Sequence, residues 1–214
     1  MPATTLTILN FLRHYAFLIV LLFFLLPASS VLKSQQIVVS SYYNTASPNN
    51  EWSELLVVED NLDIRNWTFR DNNANQTGWQ PEITFRNIDF WNNLRAGTII
   101  IIWHRLLNSD VPPNPNPLDV NKSDGYIQVA ANDAAYFSGG SFSGVGTTLN
   151  IAAAGDLLQI RNALGNHIHA LGHIAVLPVN GIFENLPLPK LNLNQAIEST
   201  NPNQAVMVLI LPQV

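Results

Sequence analysis

The chain has 214 residues, no cysteine, 12% charged residues and a formal net charge of -5. That length accommodates one domain of good size with room for part of a second, and the lack of cysteine excludes disulfides, cysteine-type zinc sites, a thiol nucleophile and a lipidated N-terminal cysteine. The acidic balance argues against a phosphate-binding surface, so we expect no nucleic-acid partner.

Residues 1–34 have the organisation of a signal peptide. Arg13 and His14 precede an apolar run at 15–26, and small residues follow at 28–30. The run is shorter than the ~20 residues that a bilayer-spanning helix needs. This favours a cleaved signal over an uncleaved anchor. We therefore expect a secreted or cell-surface protein, with no membrane contact after cleavage.

From residue 36 onwards the patterns are those of strands and turns. The run at 98–103 is unbroken and β-branched, which predicts a central strand buried on both faces. No amphipathic helix is evident after the signal. The last two strands are predicted to form a hairpin around a glycine-containing turn. Predicted strands lie at 37–43, 52–58, 82–85, 98–103, 126–130, 156–161 and 167–176.

The alternation of apolar residues changes phase around Asn66. Leu62 and Ile64 follow one alternation, whereas Trp67 and Phe69 follow the other. A continuous strand would place the second pair on the wrong face. A β-bulge at Asn66, a residue type that tolerates positive φ, would return both pairs to the core. The alternative is two unrelated strands joined by a loop.

The stretch around this phase change resembles a known family. Its acidic-Trp-x-Glu-Leu strand and the following Leu, Trp, Phe and Asp positions are Glu51, Trp52, Glu54, Leu55, Leu62, Trp67, Phe69 and Asp71. This pattern is similar to the lamin-tail domain of exported bacterial proteins, with further matches at 37–44, 95–102 and 154–160. The sequence departs from the family at Asn66, where glycine is usual, and at Ser41, where an acidic residue is frequent.

The resemblance implies an all-β, immunoglobulin-like β-sandwich over residues 36–176. Residues 177–214 form an extension interrupted by prolines, with a final predicted strand at 205–211. That strand either pairs back onto the sandwich or indicates that the chain is a fragment of a longer protein.

Three histidines are the strongest candidates for a metal site. On a regular strand, His167, His169 and His173 would project from one face. His167 and His169 could then present two nitrogens to one ion, while His173 lies too far along the strand. The alternative is a solvated strand face. We expect no metal and no cofactor.

Loop carboxylates and amides are the candidates for calcium. Hard oxygen ligands occur at Asp71, Asn72, Asn73, Asp119, Asp124 and Asp133. None has the spacing of an EF-hand, and such residues in loops more often form turns.

No enzyme motif is evident. Glu51 and Glu54 are three residues apart on a strand, so they cannot flank one glycosidic bond. We expect a non-catalytic module for adhesion, ligand or protein binding, or spacing at the cell surface. Its partner would be an unknown protein or carbohydrate, contacted through aromatic residues such as Tyr42, Tyr43, Trp79 and Trp91. Two alternatives are an accessory domain of a larger exported enzyme whose catalytic part lies beyond Val214 and, less favoured, a metal-dependent hydrolase that uses the histidines.

Overall fold

The structure is a computed structural model that describes residues 35–43, 51–73, 77–104, 118–131, 133–139, 149, 151, 155–173 and 181–192. Within these ranges the chain is nearly all β, and no helix has the length and apolar character needed to cross a membrane. The expected all-β fold is confirmed. The predicted signal at 1–34 and the predicted strand at 205–211 lie outside the described residues.

The described elements are ten strands and two short helical segments, numbered here along the chain. The helical segments are a 3₁₀ turn (Asp89–Trp91) and α1 (Ile182–Asn185). The strands are β1 (Ile37–Tyr43), β2 (Trp52–Val57), β3 (Thr68–Asp71), β4 (Ile83–Phe85), β5 (Ile99–Trp103), β6 (Tyr126–Ala130), β7 (Phe137–Ser138), β8 (Leu157–Arg161), β9 (His167–Gly172) and β10 (Lys190–Asn192).

Two mixed sheets pack face to face as a sandwich. The smaller sheet has the order β1-β2-β5-β6, and the larger has the order β10-β9-β8-β3-β4-β7. Pairing is antiparallel except for β5 with β6 and β9 with β10. Because β10 joins the larger sheet, part of the predicted extension belongs to the sandwich.

The core lies between the sheets and takes alternate side chains from the strands. In β5, Ile100 and Ile102 point into this core. The intervening Ile101 and Trp103 pack with Trp52 on the other side of the smaller sheet. The prediction of a central strand buried on both faces is therefore confirmed.

The bulge at Asn66 is present. Asn66 has a φ of 61°, and its N–H donates to the carbonyl of Phe85, whose own N–H donates to the carbonyl of Trp67. Two consecutive residues thus oppose one, which is the arrangement of a bulge whose first residue is left-handed. Ile64 and Trp67 on either side of it are both in the core, as the phase argument predicts. The N–H of Trp67 donates to the carbonyl of Ile64, so a turn and not a continuous strand joins the two stretches.

Residues 181–192, called the strap, cross the outer face of the larger sheet. Phe183 packs there against Leu157 and Ala170. The Lys190 ammonium holds the strap together, because it donates to the carbonyls of Phe183, Glu184 and Leu186 at 2.7 to 2.9 Å. The last three residues then add to the sheet as β10.

Candidate functional site

The histidines of β9 do not share one face, so that prediction was wrong. The pairing of β8 with β9 shifts register between Ile160 and Arg161: Ile160 lies opposite His169, and Arg161 lies opposite His167. One extra residue on β9 therefore separates the two pairs, and it reverses the alternation. His169 turns inward with the core residue Ile160, whereas His167 lies on the outer face with Arg161. The two imidazoles cannot hold one ion together.

His169 serves the fold from inside the sandwich. It is 1% exposed, and its Nδ1 accepts the backbone N–H of Val39 in β1 at 3.1 Å. Burial, with a smaller contribution from His167, lowers the pKa of His169 to about 4. It is therefore neutral at neutral pH, as this hydrogen bond requires. Among the described residues no group of three or more His, Asp or Glu side chains could hold a metal ion.

A layer of polar side chains closes one end of the sandwich, where β1, β3, β5 and β9 end and β2 and β8 begin. We call it the polar layer. Its members come from both sheets, at or next to the ends of six different strands. They are Tyr42, Ser53, Asp71, His104, Asp156 and His173.

Contacts within the polar layer bridge the two sheets. The rings of Tyr42 and His173 lie 4.7 Å apart between centroids. Burial raises the pKa of Tyr42, and the charge of Asp156 raises it further. Asp156 Oδ1 in turn accepts the N–H of Leu157 at 2.8 Å. Tyr42 is thus a neutral phenol at physiological pH.

A serine–histidine contact lies in the same layer. Ser53 Oγ and His104 Nε2 are in hydrogen-bond contact, although the residues are 51 positions apart in sequence. Serine beside histidine is the pairing used in nucleophilic catalysis. Here Ser53 is 0% exposed and His104 is 9% exposed. Buried in this way, the hydroxyl is out of reach of a substrate, and the contact is a hydrogen bond within the buried polar layer.

A second polar group lies on the outer face of the larger sheet. We call it the arginine–tryptophan face. It is formed by Arg70, Trp79, Glu82, Gln159, Arg161 and His167, which are contributed by β3, β8, β9 and the residues preceding β4.

One row of contacts crosses this face from Trp79 to the strap. The Arg70 guanidinium stacks on the Trp79 ring with its carbon 3.9 Å from the ring centroid, and its Nε donates to Gln159 Oε1 at 2.8 Å. Gln159 Nε2 lies 2.9 Å from His167 Nδ1, and His167 Nε2 lies 2.9 Å from the carbonyl of Pro189. Since a carbonyl only accepts, Nε2 carries the proton and Nδ1 accepts from Gln159.

Two arginines on this face share one carboxylate. Glu82 Oε2 contacts the Arg161 guanidinium and lies 4.0 Å from Arg70 Nη1. Burial, and then the charge of Arg161, lowers the pKa of Arg70 to about 10. The Arg70, Arg161 and Glu82 side chains are 17%, 20% and 35% exposed. Unlike the polar layer, this face keeps three partly exposed charged side chains, although Gln159 within it is 2% exposed.

The aromatic residues predicted to contact a ligand have different positions. Trp79 is partly buried on the arginine–tryptophan face. Tyr42 belongs to the polar layer, and Tyr43 stacks on Trp52 at 5.8 Å between centroids. Trp91 is 0% exposed in the core, so its assignment as a contact residue was wrong.

The carboxylates discussed for calcium and for glycoside cleavage have structural contacts. Asp119, Asp124 and Asp133 each accept the backbone N–H two residues further on, at 2.8 to 2.9 Å, as turn formers do. Glu51 is 2% exposed, while Glu54 accepts the hydroxyl of Ser40 at 2.7 Å.

Amide side chains near β3 are also structural. Asn72 Oδ1 accepts the N–H of Leu157 at 2.8 Å, and Asn73 Oδ1 accepts that of Thr77 at 2.9 Å. The sequence showed no sign of the Arg70–Gln159 or Ser53–His104 contacts, because their partners are far apart and match no motif. The one local signal in the sequence was a charged residue, Arg70, within a predicted run of apolar and aromatic residues. In the structure it lies on the outer face, between the buried side chains of Phe69 and Asp71.

Comparison with known proteins adds no assignment. No family model matches the chain, and no curated protein matches it. The resemblance to the lamin-tail domain therefore stays a prediction, and function is inferred from the geometry of the two polar groups.

Proposed function

We propose that this protein is an exported, non-catalytic binding module of the lamin-tail type whose arginine–tryptophan face contacts a ligand. The observation that carries the proposal is the stacking of Arg70 on Trp79. An arginine held over an indole ring and hydrogen-bonded to a glutamine is fixed in place before any ligand arrives. Such preorganisation reduces the entropy lost on binding.

The contrast with the polar layer supports binding rather than catalysis. The serine–histidine pair is closed off from solvent. The arginine–tryptophan face is partly exposed, but the Thr68 hydroxyl beside it accepts the Nε–H of Arg161 at 3.2 Å, a contact that does not activate a nucleophile. Its histidine uses both ring nitrogens in contacts with Gln159 and Pro189. A face with aromatic, amide and charged groups is equipped for recognition.

Carbohydrate is the ligand class that best matches this face. The part of the partly buried Trp79 ring that Arg70 and the strap leave uncovered offers an apolar surface for the C–H side of a sugar ring. Guanidinium groups beside it offer hydrogen bonds to hydroxyls. Trp79 and Arg70 provide both kinds of contact within one row. The apolar run at 15–26 supports export, because it has the length of a signal peptide and not of a membrane span.

The proposal is tested on a glycan array with the purified protein and two variants. Trp79→Ala removes the ring under Arg70, and we expect it to weaken binding at least about tenfold, as loss of a stacked aromatic contact does. Tyr126→Ala is the matched control, because Tyr126 is 40% exposed on the other sheet. Equal losses in both variants, or no glycan bound by the parent, would contradict the proposal.

Export is tested separately. Mass spectrometry of protein recovered from the medium or cell surface should find an N-terminus between residues 31 and 36. A chain that keeps Met1 and stays inside the cell would remove export from the proposal without affecting the binding experiment.

A further inference from the structure

The arginine–tryptophan face has an unbalanced charge. Arg70 and Arg161 are both cations, and Glu82 is the carboxylate that they share. The whole chain, by contrast, is acidic, with a formal net charge of -5. A positively charged patch on an otherwise acidic protein attracts anions locally.

The imbalance is reinforced by burial. Arg70 is 17% exposed in its side chain, and Glu82 contacts Arg161 more closely than it contacts Arg70. The pKa of Arg70 falls to about 10 because burial and Arg161 outweigh the attraction of Glu82. A second negative charge near these guanidiniums would relieve the repulsion between them.

We infer that Arg70 and Arg161 form a site for an anionic sugar, a uronate or a sulfated residue, whose charged group competes with Glu82 for the guanidiniums. This rests on the proposed binding function of the face and names the class of ligand. Guanidinium groups bind carboxylate and sulfate oxygens through paired hydrogen bonds. The sugar ring then lies beside the stacked Arg70 and Trp79 side chains.

The topology favours a sugar over an acidic peptide. Extended peptides bind by adding to a free strand edge or by lying in a groove. The site lies on β3 and β8, which are interior strands paired on both sides. Their main-chain groups are already used by neighbouring strands, so recognition relies on side chains. Side-chain contacts across a flat sheet are suited to a sugar ring.

Binding is measured by calorimetry with four polymers as probes: polygalacturonate, dextran sulfate, neutral dextran and poly-glutamate. We expect binding to polygalacturonate, dextran sulfate or both, and none to dextran. Comparing polygalacturonate with dextran sulfate shows whether the site prefers a carboxylate or a sulfate. Poly-glutamate carries the charge without a sugar ring, so we expect it to bind at least about tenfold more weakly.

Three variants assign the binding to the site. Arg161→Gln should weaken binding of the acidic polymer about tenfold, the loss typical of one charge-assisted contact. Arg95→Gln is the matched control, because it removes one charge from an arginine that donates to the Ser123 carbonyl elsewhere. Glu82→Gln removes the competing carboxylate, so it should strengthen binding of the acidic polymer and leave neutral dextran unbound.

Each contrary result has a definite meaning. The inference is overturned if Arg161→Gln and Arg95→Gln weaken binding equally. It is also overturned if Glu82→Gln binds the anionic sugar polymers more weakly while circular dichroism shows that this variant is folded. Equal affinity for poly-glutamate, or no binding of either anionic sugar polymer, would overturn it as well. If the parent instead binds neutral glycans on the array through Trp79, the proposed function stands and the anionic site is refuted.

Discussion

The two faces of the larger sheet carry the same kinds of side chain in opposite situations. His169 on the inner face is 1% exposed and accepts one backbone N–H from the other sheet. His167, two residues earlier, lies on the outer face between Gln159 and Pro189. At its end the inner face also holds Asp71 and Asp156, the carboxylates of the polar layer, whereas the outer face holds arginines.

The difference between the faces separates folding from recognition. On the inner face, the histidine and carboxylate have the protein's own backbone as partners, as at Val39 and Leu157. Groups satisfied in this way contribute to stability and leave little for a ligand. On the outer face, two guanidiniums share one carboxylate and remain partly exposed. In the proposed function, these guanidiniums are the groups that meet a ligand.

The largest expected effect is at the core tryptophan. Trp67 is 6% exposed inside the sandwich. Trp67→Ala should reduce the free energy of unfolding by about 3–5 kcal/mol, because it leaves a cavity under the sheet. Urea denaturation measures the change. A loss below about 1 kcal/mol would show that the inner face tolerates cavities and would weaken the comparison.

The second effect is a pH dependence that belongs to the inner face. Burial lowers the pKa of His169 from 6.5 to about 4. A depressed folded-state pKa means that stability is complete above 6.5 and is lost as the pH falls towards 4. The loss should reach about 3 kcal/mol.

Unfolding by urea across this pH range tests that dependence. Carboxylates also titrate there, so the informative quantity is the difference in slope between the parent and His169→Gln. Burial also lowers the pKa of His167, but His167 is only half-buried. The matched variant, His167→Gln on the outer face, should therefore keep more of the parent's slope than His169→Gln does. If His169→Gln and the parent show the same slope, the imidazole is not held neutral by the fold.

A smaller stability effect is expected on the outer face. Trp79→Ala should reduce the free energy of unfolding by about 1–2 kcal/mol, because the ring is only partly buried and packs against Arg70 and a small apolar cluster around Phe183. The same tryptophan-to-alanine change at position 67 should cost about twice as much. Thermal unfolding of both variants side by side checks this. Equal losses would place Trp79 in the fold rather than at a binding face.

The smallest effect concerns Asn66, whose bulge returns the side chains that follow it to the core. Asn66 has a φ of 61°, which glycine adopts freely. Asn66→Gly should change the free energy of unfolding by less than about 0.5 kcal/mol, or raise it slightly. Asn66→Ala should cost about 1 kcal/mol, the strain of a left-handed residue. A loss above about 1 kcal/mol for glycine would show that the amide itself is needed.

The sequence predicted those parts of the fold whose signals are local. Alternation located β1 and β6 at their observed bounds and placed the hairpin of β8 and β9. The bulge at Asn66 was predictable because a phase change coincided with a residue that accepts positive φ. These features depend on residues that are neighbours along the chain.

Features decided by tertiary pairing were missed. The bulge in β9 falls at Ile168, a residue type that does not mark a bulge in the sequence. Strict alternation therefore placed His167 and His169 on one face, although they lie on opposite faces. The parallel pairing of β5 with β6 and the short β10 carry no local mark. The polar layer and the arginine–tryptophan face each join residues from several strands. The sequence indicated some of their residues, but not which of them contact one another.

The hydrogen bond from Val39 to His169 also joins the two layers of the sandwich directly. β1 is an outermost strand of the smaller sheet, and such a strand has backbone N–H groups without a strand partner. At Val39 a ring from the larger sheet takes that place, and both residues are buried. His169 therefore pins together two sheets whose described strands do not pair with each other.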